Sequence, residues 1–145
     1  MPPPPMVLTP ELATAICDRL EHGETLRSIV LDPLMPSRTT VFKWIHQNEA
    51  FAEQYARARD AQADHFAEEI VDIADSEPAL IFKNIDGVDV ASVDSAAINL
   101  LRLRVDARKW YASKVAPKKY GDKVETTHKG DVTVHTVNYA GTGKG

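Results

Sequence analysis

Ser37, Arg38, Thr39, Thr40 and Lys43 put three hydroxyls and two cations within the stretch MPSRTTVFKWI, residues 35–45. Such groups donate to phosphates and to base edges, the chemistry of a helix lying in a DNA groove. Ser37 is a good N-cap, and a helix is predicted from there to about Gln47. On its wheel Val41, Trp44 and Ile45 share one side, with Phe42 at the margin. Thr39, Lys43, His46 and Gln47 face away, and Arg38 projects from the first turn. A recognition helix makes its contacts through its N-terminal residues. Arg27, on the preceding helix, is a weaker candidate for the phosphate backbone. The same pattern also suits a small helical cap with a solvated polar face, and these residues alone leave both readings open.

Other clusters carry less. Glu68, Glu69, Asp72 and Asp75, with His65 one turn earlier, are ligand types for metal or acid–base work, but such sites draw ligands from several elements converging on a pocket. Here one helix supplies them all, so a solvated acidic face is expected, or one paired to the basic Arg102–Lys109 region of a neighbouring subunit. His22, His46, His65, His128 and His135 show no ligand spacing, and no metal is expected. AGTGKG, residues 140–145, has the glycines and lysine of a phosphate-binding loop without the preceding strand, the following helix or the hydroxyl after the lysine. Residues 138–145 read as a flexible tail. Cys17 falls on the apolar side of a helix as a small core residue, and a single cysteine agrees with a reducing compartment. No nucleophile, general base or cofactor loop emerges, so no catalytic residue and no cofactor is expected.

The elements that position these groups follow from capping and periodicity. Thr9 caps a helix with Pro10 at N1 that runs to about His22, with Leu12, Ile16 and Leu20 on one side. Gly23 stops it. Thr25 caps a second, short helix carrying Leu26, Ile29 and Val30, and Asp32-Pro33 ends that one. Three short helices with a tight turn before the third fit a helix-turn-helix module. From Glu49 to about Asp75 there is neither glycine nor proline, and Phe51, Tyr55, Ala58, Phe66, Ile70 and Ile73 keep helical spacing over roughly 40 Å. Residues 76–92, with Asp86-Gly87, read as a loop containing a short hairpin or a helical turn. Another helix runs from about Val93 to Val115, ended by Pro117. Its Ile98, Leu100, Leu101, Leu103, Val105 and Trp110 are too widely spread around the axis for one stripe, which asks for cover from a second copy of the chain. Period-2 alternation around Lys129-Gly130-Asp131 reads as two short strands between Val124 and Val137, which also need neighbours.

The bulk numbers fit that organisation. At 145 residues, 43% hydrophobic and 26% charged, the chain suits one ordinary globular domain or two small ones. No apolar run approaches the roughly 18 residues of a membrane span, and MPPPPM lacks the features of a secretion signal, so an intracellular protein is expected. The net charge of −4 is unevenly spread: residues 1–50 carry four basic and six acidic groups, residues 51–92 three and ten, and residues 93–145 ten and five. An acidic middle before a basic end suits packing between segments or subunits, and leaves any DNA contact to a few side chains.

LRLRVDARKW (residues 101–110) and PKKYGDKV (117–124), with MPSRTTVFKWI, GETLRSIV (23–30) and the helix FAEQYARARDAQADHFAEEIVDIAD (51–75), closely resemble the small terminase subunits of tailed double-stranded-DNA bacteriophages. The resemblance covers most of residues 10–125. It implies a protein that recognises the packaging start in viral DNA, delivers that DNA to the large terminase subunit and modulates the latter's ATPase and nuclease. It further implies rings of about eight to eleven copies, acting in the host cytoplasm and absent from the mature virion, with the C-terminal region docking the large subunit. The expected fold is mainly α. Residues 1–48 form an N-terminal helix-turn-helix DNA-binding domain, residues 49–120 a central oligomerisation domain of long antiparallel helices, residues 121–137 β-strands of an intersubunit barrel, and residues 138–145 the tail. Carried over by position, Ser37, Arg38, Thr39, Thr40 and Lys43 face DNA with Arg27 in support. Phe66, Ile70, Ile73, Leu101, Val105 and Trp110 are expected at subunit contacts. A dimeric transcriptional regulator or transposase-like module would use the same N-terminal helices on two half-sites.

Overall fold

The computed structural model describes Pro2, residues 4–122 and Gly130. The strand pair expected between Val124 and Val137 and the tail at 138–145 therefore lie outside the described residues, Gly130 apart. Six helices and one hairpin make up the rest: α1 (Pro10–Glu21), α2 (Leu26–Ile29), α3 (Arg38–Gln47), α4 (Glu49–Asp75), β1 (Leu80–Ile85), β2 (Val88–Val93), α5 (Ser95–Val115) and α6 (Pro117–Tyr120).

Local chemistry sets most of the boundaries. The hydroxyls of Thr9, Thr25 and Ser37 accept from the backbone N–H groups of Leu12, Ser28 and Thr40, satisfying donors that a first turn would otherwise leave orphaned. Asn48 caps α4 by accepting from the N–H of Phe51 at 3.0 Å, while its own N–H bonds back to the carbonyl of Trp44 in α3. One residue thus ends one helix and starts the next. At the end of α1, Glu24 N–H reaches Arg19 O and Gly23 N–H reaches Leu20 O, the paired bonds of a Schellman stop. Gly23 has φ +90°, and a Cβ there would meet the His65 ring at 2.5 Å, so both backbone sign and space demand glycine.

The main core crosses from α1–α3 into α4. Ala13, Ile16, Cys17 and Leu20 of α1, Leu26 and Ile29 of α2, Val41 and Trp44 of α3, and Phe51 and Ala58 of α4 are all buried together. Phe51 stands edge-on to Trp44, with centroids 6.3 Å apart. Burial pushes the Cys17 thiol up to about 11, with help from Glu21 and Asp18 nearby, as suits an inert core residue.

Further along, α4 and α5 lie antiparallel. Ala63, Ala112 and Ala116 form a small-residue seam, and Phe66 meets Tyr111 edge-on at 5.2 Å. Charge registers the pair: Arg108 donates in a fork to both Glu69 oxygens at 2.7 and 3.0 Å, and Lys119 and the Tyr120 hydroxyl both reach Asp64. One member of the acidic cluster therefore pairs within its own chain, whereas Glu68, Asp72 and Asp75 stay exposed.

Residues 80–93 resolve the alternatives left by the sequence in favour of a hairpin. Asp86 and Gly87 both have positive φ, 52° and 84°, the signature of a type I′ turn. Leu80 pairs with Val93, which draws Val93 into the strand, so α5 starts at Ser95 behind the cap Asp94 rather than at Val93. Every residue of the two strands is exposed. Pro117 ends α5 as expected but also opens the single turn of α6, because its fixed φ suits a first helical position.

Candidate nucleic-acid interface

The α3 helix is held from behind. Val41 is fully buried and Trp44 nearly so, while Ile45 is half-buried against the same core. Its frame is fixed by Arg19, which donates to both oxygens of Glu24 and to Asp32. These bonds tie the end of α1 to the segments on either side of α2. The Arg19 hydrogen bond holds the Glu24 carboxyl below its usual range. Asp32 is lowered first by the Leu34 N–H it accepts and then by Arg19. The ion pairs are too exposed to add much stability, and their effect is geometric.

On the outer side Arg38, Thr39 and Lys43 are exposed, and so is Arg27 on α2. Among the described residues none of Arg27, Arg38 or Lys43 forms an ion pair. Their charges are therefore free for phosphates. The Arg38 guanidinium lies 5.2 Å from the centroid of the Phe42 ring, which preorients it along the helix. Ser37 and Thr40 are used differently. The Ser37 hydroxyl caps the helix and also shares a hydrogen bond with that of Thr40 at 3.0 Å, and Thr40 is half-buried. Local bonding thus engages two of the six expected contact residues.

The α3 face continues into a cleft reaching α4 and α5, lined by residues that include Arg27, Arg38, Phe42, Tyr55, Arg59 and Tyr111. Arg59 was not among the residues singled out in the sequence. Its i, i+4 spacing from Tyr55 is a usable signal for a cation over a ring, with Arg59 Cζ 6.0 Å from that centroid. The second ring, Tyr111, comes from another helix and has no local signature.

The residues expected at subunit contacts divide. Phe66 spends its ring on Tyr111, and Ile70, Ile73, Leu101 and Val105 are half-buried along the α4–α5 pair. Trp110 is 63% exposed, beside Ile70 at a groove that also includes Lys109 and Tyr120. Among the described residues no group of three or more His, Cys, Asp or Glu could hold a metal, and no helix is long and apolar enough to cross a membrane.

The family described as bacteriophage Sf6, terminase small subunit-like matches residues 8–127. The chain belongs to that family of terminase small subunits. Three crystal structures of terminase small subunit gp1 of the bacterial virus Sf6 are similar to it. An aspartate-to-arginine variant is 37% identical over 92% of this chain and 100% of that one, with a TM-score of 0.59. An arginine-to-alanine and a lysine-to-glutamate variant are each 35% identical over 97% of this chain and 100% of that one, with TM-scores of 0.60. No curated protein matches. The matched span runs from before α1 to beyond α6, so α3 and the α4–α5 pair both lie within it, and a role in viral DNA packaging follows from membership.

Proposed function

We infer that this chain is the non-catalytic DNA-recognition subunit of a viral packaging machine. The α1–α3 module acts as a helix-turn-helix and lays α3 in a DNA groove at the packaging start. Arg38, Thr39 and Lys43 make the contacts there, Arg27 serves the backbone, and Ser37 and Thr40 act chiefly by holding the first turn. The observation that carries this reading is an exposed cationic helix face, without carboxylate partners among the described residues, on a helix locked from behind by Val41 and Trp44.

Assembly supplies the affinity. One such face on a chain of net charge −4 binds DNA weakly, and a ring of about eight to eleven copies raises the effective concentration of every further contact. Support for assembly comes from α5, where Ile98, Leu100, Leu103 and Trp110 stand exposed on a single chain. The ring receives viral DNA in the host cytoplasm, passes it to the large terminase subunit through its C-terminal region, modulates that subunit's ATPase and nuclease, and stays out of the mature virion. No metal or cofactor takes part.

Changing Arg38 and Lys43 together to alanine tests the DNA face. DNA affinity should fall, with a shallower dependence on salt. Unchanged, salt-sensitive affinity removes α3 from the contact. Native mass spectrometry tests the ring, and a dimer as the largest species would favour the two-half-site regulator instead.

A further inference from the structure

Beside α3, three arginines, Arg27, Arg38 and Arg59, line the same cleft, and among the described residues no carboxylate lines it. That is unusual for this molecule. Arg19, Arg108 and Lys119 each sit 2.6–2.7 Å from a carboxylate oxygen. Arg59 lies on the acidic helix α4, yet among the described residues neutral groups alone hold it. Its Nη1 donates to Gln62 Oε1 at 2.8 Å and to Tyr111 Oη at 3.0 Å, and its guanidinium stands about equally far from the Tyr55 and Tyr111 rings, 6.0 and 5.9 Å. Gln62 is fully buried and is itself anchored by donating to the carbonyl of Glu24. The guanidinium is therefore preoriented by a buried amide and two rings. Among the described residues its Nε and Nη2 donors have no partner.

Such a fork matches phosphate oxygens in geometry and charge. Three cations lining one cleft set up a positive potential that favours an anion there. Arg38 belongs both to this cleft and to the exposed side of α3, five residues before Lys43. A duplex lying along α3 carries its strand backbone past the cleft mouth, which makes the anion nearest to hand a DNA phosphate. We propose that the cleft between α2, α3, α4 and α5 seats one phosphate of the DNA backbone, with Arg59 as its floor and Arg27 and Arg38 at its rim. This rests on the reading of α3 as the DNA face. It adds a contact from α4, outside the three N-terminal helices, and through Tyr111 makes α5 part of the seat.

The test compares the assembled full-length wild type with Arg59→Gln, Arg59→Lys and the Arg38→Ala/Lys43→Ala pair. Binding of labelled double-stranded DNA is followed by fluorescence anisotropy across a range of salt, with thermal melting measured in parallel. Arg59→Gln should weaken binding about tenfold, since a charge-assisted contact is lost. It should also flatten the plot of log affinity against log salt by about 0.9 for each engaged protomer, while Arg59→Lys keeps the slope. Unchanged affinity and slope in Arg59→Gln, with both reduced in the Arg38/Lys43 pair, overturn the phosphate seat and leave the α3 reading standing. If the Arg38/Lys43 pair is silent, the α3 reading falls and the seat with it. Equal losses of affinity and melting temperature in Arg59→Gln and Arg59→Lys, at unchanged slope, mark a packing role and overturn the proposal. Millimolar inorganic phosphate at matched ionic strength should leave the melting of wild type and Arg59→Gln alike. Stabilisation by phosphate that Arg59→Gln removes, with the DNA slope intact, assigns the cleft to a free anion and overturns it too.

Discussion

Phe51→Ala isolates how far the α1–α3 module, proposed to face DNA, depends on the long helix behind it. Phe51 belongs to α4, yet its side chain is 2% exposed and meets Trp44 of α3 edge-on at 6.3 Å and Tyr55 at 6.1 Å. Returning a buried phenyl ring to water costs about 1.5–3 kcal/mol in transfer free energy. A cavity adds to that, because Trp44 and Tyr55 are held by their own helices and can collapse only partly into the gap. The total should reach about 3–5 kcal/mol. Chemical denaturation at fixed protein concentration measures it, since assembly makes apparent stability depend on concentration. DNA affinity should fall alongside, because Trp44 lies directly behind the α3 face, and Phe51→Leu should retain most of both properties. A loss below about 1 kcal/mol, with DNA binding intact, would refute the coupling. The α1–α3 module would then stand without α4, and the shared core would be incidental.

Three further outcomes follow from particular contacts. Gly23→Ala forces a left-handed conformation at φ +90° and sets a methyl against the His65 ring, so it should cost at least about 1–2 kcal/mol. Adding His65→Ala should recover the steric part alone, and thermal melting showing full recovery would contradict the backbone argument. The Arg108 hydrogen bond holds the Glu69 carboxyl below its ordinary value of 4.5, so this pair stabilises the fold above that value and is lost as pH falls beneath it. Glu69→Gln should make the α4–α5 pair less acid-sensitive in that window, by a small margin given the partial exposure of both partners, and an acid transition identical to wild type would remove the pair from the explanation. Trp110→Ala should leave the helix content of the chain unchanged, because the ring is largely exposed there. It should nevertheless loosen the oligomer, by about 3–5 kcal/mol if subunits bury that ring, and intact assemblies with unaltered melting would exclude it from the contact.

Much of the architecture was written in short-range chemistry. Thr9, Thr25 and Ser37 are placed by the sequence as caps, and each accepts the bond that role requires. Pro117 stops α5, and Val41 and Trp44 turn inward from α3 as the spacing predicts. These features depend on residues within one or two turns of each other, and a linear pattern records such distances directly. The exposure of Arg38, Thr39 and Lys43 follows in the same way, since a helix that buries one side must show the other.

Tertiary structure decided everything that joins distant positions. Glu69 finds Arg108 and Phe66 finds Tyr111 because α4 and α5 run antiparallel along an alanine seam, and neither partner is marked in the other's neighbourhood. Thr40 looked equivalent to Thr39 as a contact residue, but its hydroxyl shares a bond with that of the Ser37 cap and the residue is half-buried. The hairpin at 80–93 carried its I′ turn signal in Asp86-Gly87, but its flanks lack the alternation that names a half-buried strand, because both faces are exposed. Arg59 shows the division most plainly. Sequence supplies a cation one turn from both Tyr55 and Gln62 on an acidic helix, whereas Tyr111 and the arginines of α2 and α3 are brought to it by folding. Local propensity specifies which way each helix faces; the pairing of helices specifies what each face meets, and the functional surface is built from those meetings.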